Sequence, residues 1–440
     1  MIVVDLFSGA GGLSEGFHQE GYKIVAQVEK EKWACETLKT RMSYHFLKNN
    51  NDLDLYGTYL RSVKDYKHLE QSREVIFKKY PHLKERFGYE ILNKKFGNPQ
   101  NDENATSLKD IQKMIENALI YNGENSVDLI IGGPPCQAYS LVGRGRMKES
   151  AEKDSRNYLF YYYLNLVKEY KPKAFIFENV PGILTAKKGK VFEKIKEEFE
   201  NIGYKIVSGE TEIDKENVLD FADFGTPQKR KRVILFGYKN NFNLVYPDFG
   251  KHKYEWDHQL VTKNVISDLR NLQPGEGDDH LLVDYIEKDQ SELKSYQMFM
   301  RKNSFGITNH KSRTIQPRDR KIYELSIKLA LNGEQLKYSD LPHELKTHKN
   351  ETAFLDRFKV HAWDKLPHTV VAHISKDGHY NIHPDIEQSR SLTVREAARI
   401  QSFPDNYYFE GPRTAQFVQV GNAVPPIMSS VIAKSLKDIL

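Results

Sequence analysis

The sequence predicts an α/β fold, with a mainly parallel, Rossmann-like sheet and a smaller, irregular second domain. Two observations carry that expectation. In the first half of the chain, short apolar runs alternate with stretches of helical periodicity, the pattern of strands covered on both faces by helices. From about residue 241 to 390 the rhythm changes. That stretch is polar, rich in Lys, His, Asp and Asn, and broken by turn signals such as Gln273-Pro274-Gly275.

The expected strands are Ile2 to Phe7, Lys23 to Glu29, Val127 to Gly133, Ala174 to Val180 and Val233 to Gly237, with a further short one ending near Ile111. Between the last two long strands Val191, Phe192, Ile195, Phe199 and Ile202 form one helical stripe, and Gly203 is placed to end it. Thr393-Val-Arg-Glu396 has the spacing of a capping box that opens a short helix. The apolar segment from Gly421 is expected to return to the first domain. The 440 residues thus divide into 1–240, 241–390 and a hinge and return over 391–440. Residues 41 to 105 are too long for a loop and read as an inserted helical subdomain. It leaves the sheet after a helix, so it is expected near the amino ends of the strands.

Composition narrows the class. A net charge of +5 permits a local basic surface without demanding one. Two cysteines, Cys35 and Cys136, are too few for a disulfide framework and fit a reducing cytoplasm. No apolar run is long enough to span a membrane.

In open α/β sheets ligands bind outside the carboxyl ends of the strands. Here that rule gathers several chemically capable residues. Phe7-Ser-Gly9-Ala-Gly11-Gly12 follows the first strand, and Glu29 ends the second, 20 residues beyond Gly9, where an acid can bind ribose hydroxyls. Asp110 is expected to end the next short strand, Cys136 follows the fourth and Glu178 closes the fifth. Singly, each has a plain alternative: a lone cysteine is more often a small buried hydrophobe than a nucleophile. Ser14 stands where a dinucleotide-binding loop has its third glycine, which weakens the dehydrogenase reading.

Gly132-Gly-Pro-Pro-Cys136-Gln137 holds a thiol on a loop stiffened by two prolines. With Asp5-Leu-Phe-Ser-Gly-Ala-Gly-Gly12, Glu178-Asn-Val180, Gln228-Lys-Arg-Lys-Arg232 and Gly421-Asn-Ala-Val-Pro-Pro426, this segment resembles the C5-cytosine DNA methyltransferases of bacterial restriction-modification systems along nearly the whole chain. The resemblance implies a transfer from S-adenosyl-L-methionine to C5 of a cytosine flipped out of duplex DNA. Cys136 would attack C6, because C5 is too weak a nucleophile unaided. Glu178 would hold ring N3 and the exocyclic amine, with Asn179 helping to position it, and Asn179, Gln137 and Gln228 forming the substrate-binding set. Arg230 and Arg232 would orient the loop and contact the base or its phosphates. Phe7, Gly9, Gly11, Glu29, Asp110, Pro134, Leu159, Asn422 and Ala423 would surround the cofactor, which leaves as S-adenosyl-L-homocysteine.

The second domain is then the target-recognition region, with Arg301, Lys302, Asn303, Lys311, Arg313, Arg318 and Arg320 as candidate base or phosphate contacts. A transfer-RNA methyltransferase of the same family typically carries Cys-Phe-Thr, absent here, and a catalytically silent relative would not need the cysteine, glutamate and arginines together. His379 and His383 lack a third ligand nearby and read as structural or DNA-facing, so no metal is expected. The expected setting is a cytoplasmic, nucleoid-associated monomer, with a cognate restriction endonuclease as possible partner.

Overall fold

The structure, a computed structural model, describes residues 1–135, 159–207, 218–287, 289–346 and 355–440. Its first half is an eight-stranded sheet. The strands are β1 (Ile2–Leu6), β2 (Lys23–Glu29), β3 (Ile91–Asn93), β6 (Leu129–Gly132), β7 (Ala174–Asn179), β8 (Tyr204–Val207), β9 (Val218–Asp220) and β10 (Lys231–Lys239). β4 (Lys95–Phe96) and β5 (Ala105–Thr106) pair with each other in parallel. The order is β3-β2-β1-β6-β7-β10-β8, with β9 beside β10. β3, β2, β1, β6 and β7 run parallel, and β10 is antiparallel to β7, β8 and β9.

Parallel strands need cover on both faces, and the side chains alternate accordingly. Val4, Ile130, Phe175, Phe177, Val233 and Leu235 face one core. There they meet α6 (Leu108–Tyr121), α7 (Leu159–Tyr170) and α9 (Lys190–Asn201), which lies between α8 (Gly182–Thr185) and β8. Val3, Leu129, Ile131, Ile176, Ile234 and Phe236 face the other, covered by α1 (Gly12–Gln19) and α15 (Pro426–Lys437). α15 is the expected C-terminal return. It lies so close to α1 that a Cβ on Gly16 would sit 2.1 Å from the Ser430 nitrogen.

Between β2 and β3 run α2 (Lys32–Asn49), α3 (Leu53–Ser62), α4 (Leu69–Phe77) and α5 (His82–Glu90). The expected insertion over 41–105 therefore needs correction. Its first residues continue α2, and β3 within it is a strand of the main sheet. Nor is it confined to the amino ends of the strands. Tyr66 packs on Trp33, just past the carboxyl end of β2, and on His280, with ring centroids 5.4 and 5.7 Å away. Buried Arg73 pairs with Glu36 and donates to Thr40 Oγ1 at 3.0 Å, while Tyr59 and Thr40 donate to buried Glu410 at 2.6 and 2.5 Å. These helices thus brace the sheet against the C-terminal segment.

Beyond β10 the chain holds α10 (Thr262–Ile266), α11 (Ser295–Arg301), α12 (Pro317–Leu331) and a two-stranded pair, β11 (Gly277–Asp278) with β12 (His310–Lys311). α13 (Val394–Ile400) opens with the expected capping box between Thr393 and Glu396, and α14 (Arg413–Asn422) precedes α15. Three arginines around α13 are wholly buried. Arg390 pairs with Glu396 at 2.7 Å, Arg399 pairs with Asp405 at 2.7 Å and with Asp268, and Arg395 donates to the carbonyls of Thr308, Pro404 and Tyr407. One apolar core joins Val265, Tyr296 and Met300 to Ala397, Phe403 and Phe417, and reaches Ala10 of the glycine-rich turn.

Candidate active site

Five of the segments singled out in the sequence meet at the carboxyl edge of β1, β2, β6 and β7. After β1 the chain turns through left-handed conformations at Phe7 (φ 60°), Gly9 (φ 54°) and Gly11 (φ 84°). A Cβ built on Gly9 would meet nothing within 4 Å, so the turn borders open space. Phe7 stacks obliquely on Phe96 at 5.0 Å, making an aromatic wall beside it. Glu29 is buried and accepts from the backbone N–H of Gly9, Lys30 and Glu31, each at 2.8 Å. Burial holds its carboxyl above the ordinary range. A carboxylate has about four acceptor positions, and these three bonds leave one on Oε2 for a further donor.

Pro134 is buried, Leu159 opens α7 half-buried against the first core, and Asn422 is exposed at the end of α14. Ala423 abuts Gly12, whose added Cβ would lie 3.0 Å from the alanine Cβ. The donor set fits S-adenosylmethionine: an acid for ribose, an aromatic wall for adenine, and a glycine turn open to the methionine part. Asp110 is not at a strand end. It is exposed in the first turn of α6, where Ser107 Oγ donates to its carboxylate at 2.6 Å and caps the helix. The pattern Ser-x-x-Asp ahead of an apolar stripe is the signal that separates this helix start from a strand.

Glu178 lies in β7, its Oε1 3.0 Å from Arg232 Nε of β10. Both side chains are about 15% exposed, at 15% and 14%, so the pair can meet a ligand from one side. A Cβ on Gly133 would come within 2.7 Å of Glu178 Oε2; only glycine lets the carboxylate lie against this loop. Next to it, Asn179 donates to the Pro134 carbonyl at 3.1 Å and accepts from Val180 N–H at 2.9 Å. Asn179, itself buried, thus ties down the backbone at Pro134. Cys136 and Gln137 themselves lie outside the described residues. Cys35 is buried beside the Glu29 carbonyl, and burial pushes its thiol up, which makes it unfit as a nucleophile.

Two expected contacts are corrected. Arg230 is buried and faces away from Glu178, donating to the carbonyls of Val370 (2.9 Å), Gly421 (3.3 Å) and Ala423 (2.9 Å). With no acid bonded to it, burial lowers its pKa, the charge of Arg232 lowers it further and Glu178 opposes both. Gln228 is fully buried, donating to Ile400 O and Gln401 Oε1 and accepting from Val370 N–H at 3.1 Å. Both join the two halves of the chain instead of touching a base.

The second half sorts its cations. Arg301 is spent on Asp268 at 2.7 Å and stacks over Tyr285, and Arg313 donates to the carbonyls of Lys376 and Ile374 and stacks over Phe417. Lys302, Asn303 and Arg318 are exposed, and Lys311 and Arg320 half-exposed. His379 bonds the Tyr323 hydroxyl at 2.9 Å and His383 is buried beside Glu396, so both are structural. They lie among turns with isolated bridges. Among the described residues no group of three His, Cys, Asp or Glu could hold a metal ion, and no helix is long and apolar enough to cross a membrane.

One residue was passed over in the sequence. Asp5 is a carboxylate in the middle of an apolar, doubly covered strand, 1% exposed, and neither of its oxygens has a hydrogen-bond partner. Burial pushes it up to about 7 against the opposing pull of the neighbouring Ser14, Ser8 and Gln27 side chains, with the charge of Glu29 adding to the rise. An acid in such a run was the available signal.

A family model described as C-5 cytosine-specific DNA methylase matches residues 1–61 and 89–438, leaving out 62–88 within the bracing helices and the last two residues. The chain is 63% identical to the Type II methyltransferase M.Bpa9945I of Bacillus paralicheniformis, over 100% of this chain and 99% of that one. It is 30% identical to the Type II methyltransferase M.DdeI of Desulfomicrobium norvegicum, over 99% and 88%. A solved prophage-encoded chain of E. coli, assigned as a DNA modification methyltransferase, shares the fold with a TM-score of 0.59 at 20% identity, covering 100% of this chain and 99% of that one. The chain therefore belongs to the C-5 cytosine-specific DNA methylase family and is a DNA (cytosine-5)-methyltransferase of the Type II restriction-modification kind.

Proposed function

We propose that the enzyme methylates a cytosine flipped out of a specific duplex sequence, through a covalent bond between Cys136 Sγ and C6 of the base. The observation that carries this reading is the Glu178–Arg232 pair, partly open, with Gly133 against its carboxylate and Asn179 fastening Pro134, two residues before Cys136. A base entering there meets a carboxylate able to hold N3 and the exocyclic amine, and a guanidinium fork able to bind a base oxygen or a phosphate. Extrusion from the stack costs roughly a few kcal/mol, offset by such contacts.

The thiolate of Cys136 adds to C6, forming the S–C6 bond and moving the C5–C6 electron pair onto C5. When bound, S-adenosylmethionine would supply the electrophilic methyl group to C5, its sulfonium–methyl bond breaking to leave S-adenosylhomocysteine. Loss of the C5 proton to water restores the double bond and expels the thiolate. Glu178 stabilises the ring as sulfur adds. Phe7, Gly9, Gly11, Glu29, Pro134, Leu159, Asn422 and Ala423 would hold the cofactor. Residues 1–240 would supply the chemistry and 241–390 read the sequence, the exposed Lys302, Asn303 and Arg318 being better placed for DNA than Arg301 or Arg313. We assign a monomer acting in the cytoplasm on nucleoid DNA, alongside an endonuclease of the same specificity.

The test is conversion sequencing for 5-methylcytosine in a methylation-deficient bacterium expressing the wild type or Cys136→Ser. Methylation at one short motif, absent in the variant, is expected. A variant that still methylates would overturn the covalent route, and a soluble wild type that leaves DNA unmodified would overturn the proposed substrate.

A further inference from the structure

The glycine-rich turn has an open side and a closed one. A Cβ on Gly9 would meet nothing within 4 Å, but one on Gly11 would lie 2.7 Å from Leu38 Cδ2 and 3.0 Å from the Tyr407 hydroxyl oxygen. One on Gly12 would lie 2.2 Å from the Val424 carbonyl oxygen. The closed side is therefore built against α2 and the C-terminal segments. Apolar contact sets a distance there, whereas a hydrogen bond fixes a point. That point is the Ala10 carbonyl, between the left-handed Gly9 and Gly11, which accepts from the Tyr407 hydroxyl, 397 residues along the chain.

The other bonds of the turn run to itself or to β2. Ser8 N–H donates to the Val28 carbonyl at 3.2 Å, Gly9 N–H to Glu29 at 2.8 Å and Gly11 N–H to the Ser8 carbonyl at 2.9 Å. Tyr407 supplies the tie to the C-terminal side. Ala10 is 1% exposed, so without that hydroxyl its carbonyl would be buried and unpaired. The tie is also stiff. The Tyr407 ring is wholly buried, with Phe403 and Phe409 at 4.7 and 5.3 Å and the Arg41 guanidinium 4.6 Å from its centroid. Arg41 is held in turn by Glu15 of α1 at 2.6 Å, and Arg395 Nη2 donates to the Tyr407 carbonyl at 2.7 Å. Burial holds the phenol well above its ordinary range, so it keeps the proton that it donates.

We infer that Tyr407 is a positioning residue for the methyl donor: its hydroxyl holds the Ala10 carbonyl so that Phe7, Gly9 and Gly11 keep the conformation that receives S-adenosylmethionine. It acts through the backbone of the turn and touches no reacting atom. The inference rests on the reading of this turn as the cofactor site. A turn that spends about a tenth of its time in the receptive form binds about tenfold more weakly, a loss that one buried hydrogen bond can supply.

Tyr407→Phe removes the hydroxyl and keeps the ring. Tyr296→Phe is the control: Tyr296 is an equally buried tyrosine of the same core, but its hydroxyl donates to the Arg399 carbonyl of α13. Both full-length variants and the wild type are titrated calorimetrically with S-adenosylmethionine and S-adenosylhomocysteine, unfolded in urea, and assayed for methyl transfer to duplex DNA. The two variants are expected to lose similar stability. Tyr407→Phe alone should bind both cofactor forms about tenfold more weakly, with KM for S-adenosylmethionine rising in step and kcat at saturating cofactor changing less than twofold. Wild-type affinity in Tyr407→Phe, or an equal loss in Tyr296→Phe, would overturn the inference. Should Tyr407→Phe fail to fold, 3-fluorotyrosine is placed at 407 or at 296 of the otherwise unaltered chain. The fluorine resonance at 407 should then move on adding S-adenosylhomocysteine and the one at 296 should not; an unmoved resonance at 407 would refute the tie. A wild type that takes up neither cofactor form would instead sink the reading of the turn itself.

Discussion

Gly133 offers a way to move the Glu178 carboxylate without touching its chemistry. In Gly133→Ala the new Cβ would lie 2.7 Å from Glu178 Oε2 and 3.3 Å from the Glu178 carbonyl, against an ordinary contact beginning near 3.4 Å. Gly133 is not among the positive-φ residues, so alanine adds no backbone strain. The crowded atom is the end of a flexible side chain, so the fold survives and the carboxylate retreats by about 0.7 Å. That is enough to break the 3.0 Å bond from Arg232 Nε to Oε1 and to displace the acceptor offered to a base. A charged hydrogen bond is worth about 1.5–3 kcal/mol, so kcat should fall about ten- to hundredfold. The assay is transfer of a tritiated methyl group to duplex DNA, with S-adenosylmethionine affinity measured in parallel and expected to stay within twofold. In a Glu178→Gln background the alanine should add little further loss, because both act through one group. A kcat unchanged by Gly133→Ala, or a loss fully additive with Glu178→Gln, would refute the geometry.

Other consequences follow from buried charge. Asp5, pushed up to about 7, keeps its proton in the folded protein while the unfolded chain loses it near pH 4. The raised pKa therefore opposes folding increasingly from pH 4 to 7 and by a constant amount above. Relative to Asp5→Asn, the wild type should lose up to about 4 kcal/mol across that window in urea titrations; parallel pH profiles would show the acid to be solvated. Arg73→Met leaves Glu36 held by Lys39 and removes the nearest cation from buried Glu410, so unfolding should become easier by about 3 kcal/mol, read from denaturant midpoints, with Glu410→Gln restoring part of it. Arg230→Met leaves three carbonyls without their donor and should cost roughly 3 kcal/mol of stability, whereas Arg232→Met should cost activity instead; the reverse pattern would return Arg230 to the catalytic set.

The central sheet was legible because its long strands are doubly buried and their apolar runs are continuous. All five long strands expected from the sequence are present within two residues of their ends, with Lys23–Glu29 matching at both. What was missed is short. β3 is three residues inside a charged helical stretch, and its strand character comes from pairing Gln27 with Ile91, not from any pattern of its own. Asp110 was misplaced because Leu108 and Ile111 suit a strand or a helix equally until Ser107 is recognised as a cap. The insertion was read as lying away from the site from its point of departure alone, but an aromatic contact from Tyr66 to Trp33 depends on how α2 and α3 fold back on each other, which no local signal contains.

The two arginines of Gln228-Lys-Arg-Lys-Arg232 make the same point more sharply, since two residues apart they share an extended-strand parity and look interchangeable. Their partners lie far along the chain. Arg232 continues into β10 and finds Glu178 on the neighbouring strand. Arg230, just before β10, turns to Gly421 and Ala423, about 190 residues on, carbonyls at the end of α14. A helix leaves its last carbonyls unpaired and carries partial negative charge there, which is the setting that tolerates a buried guanidinium without an acid. Gln228 completes the seam by accepting from Val370 N–H, the same residue whose carbonyl Arg230 binds. One short basic motif thereby does two different jobs. Its first half pins the hinge between the sheet and the C-terminal segments, and its last arginine orients the acid at the site. The position of Glu178 relative to the cofactor face is thus tied, through β10, to the closure of the whole chain.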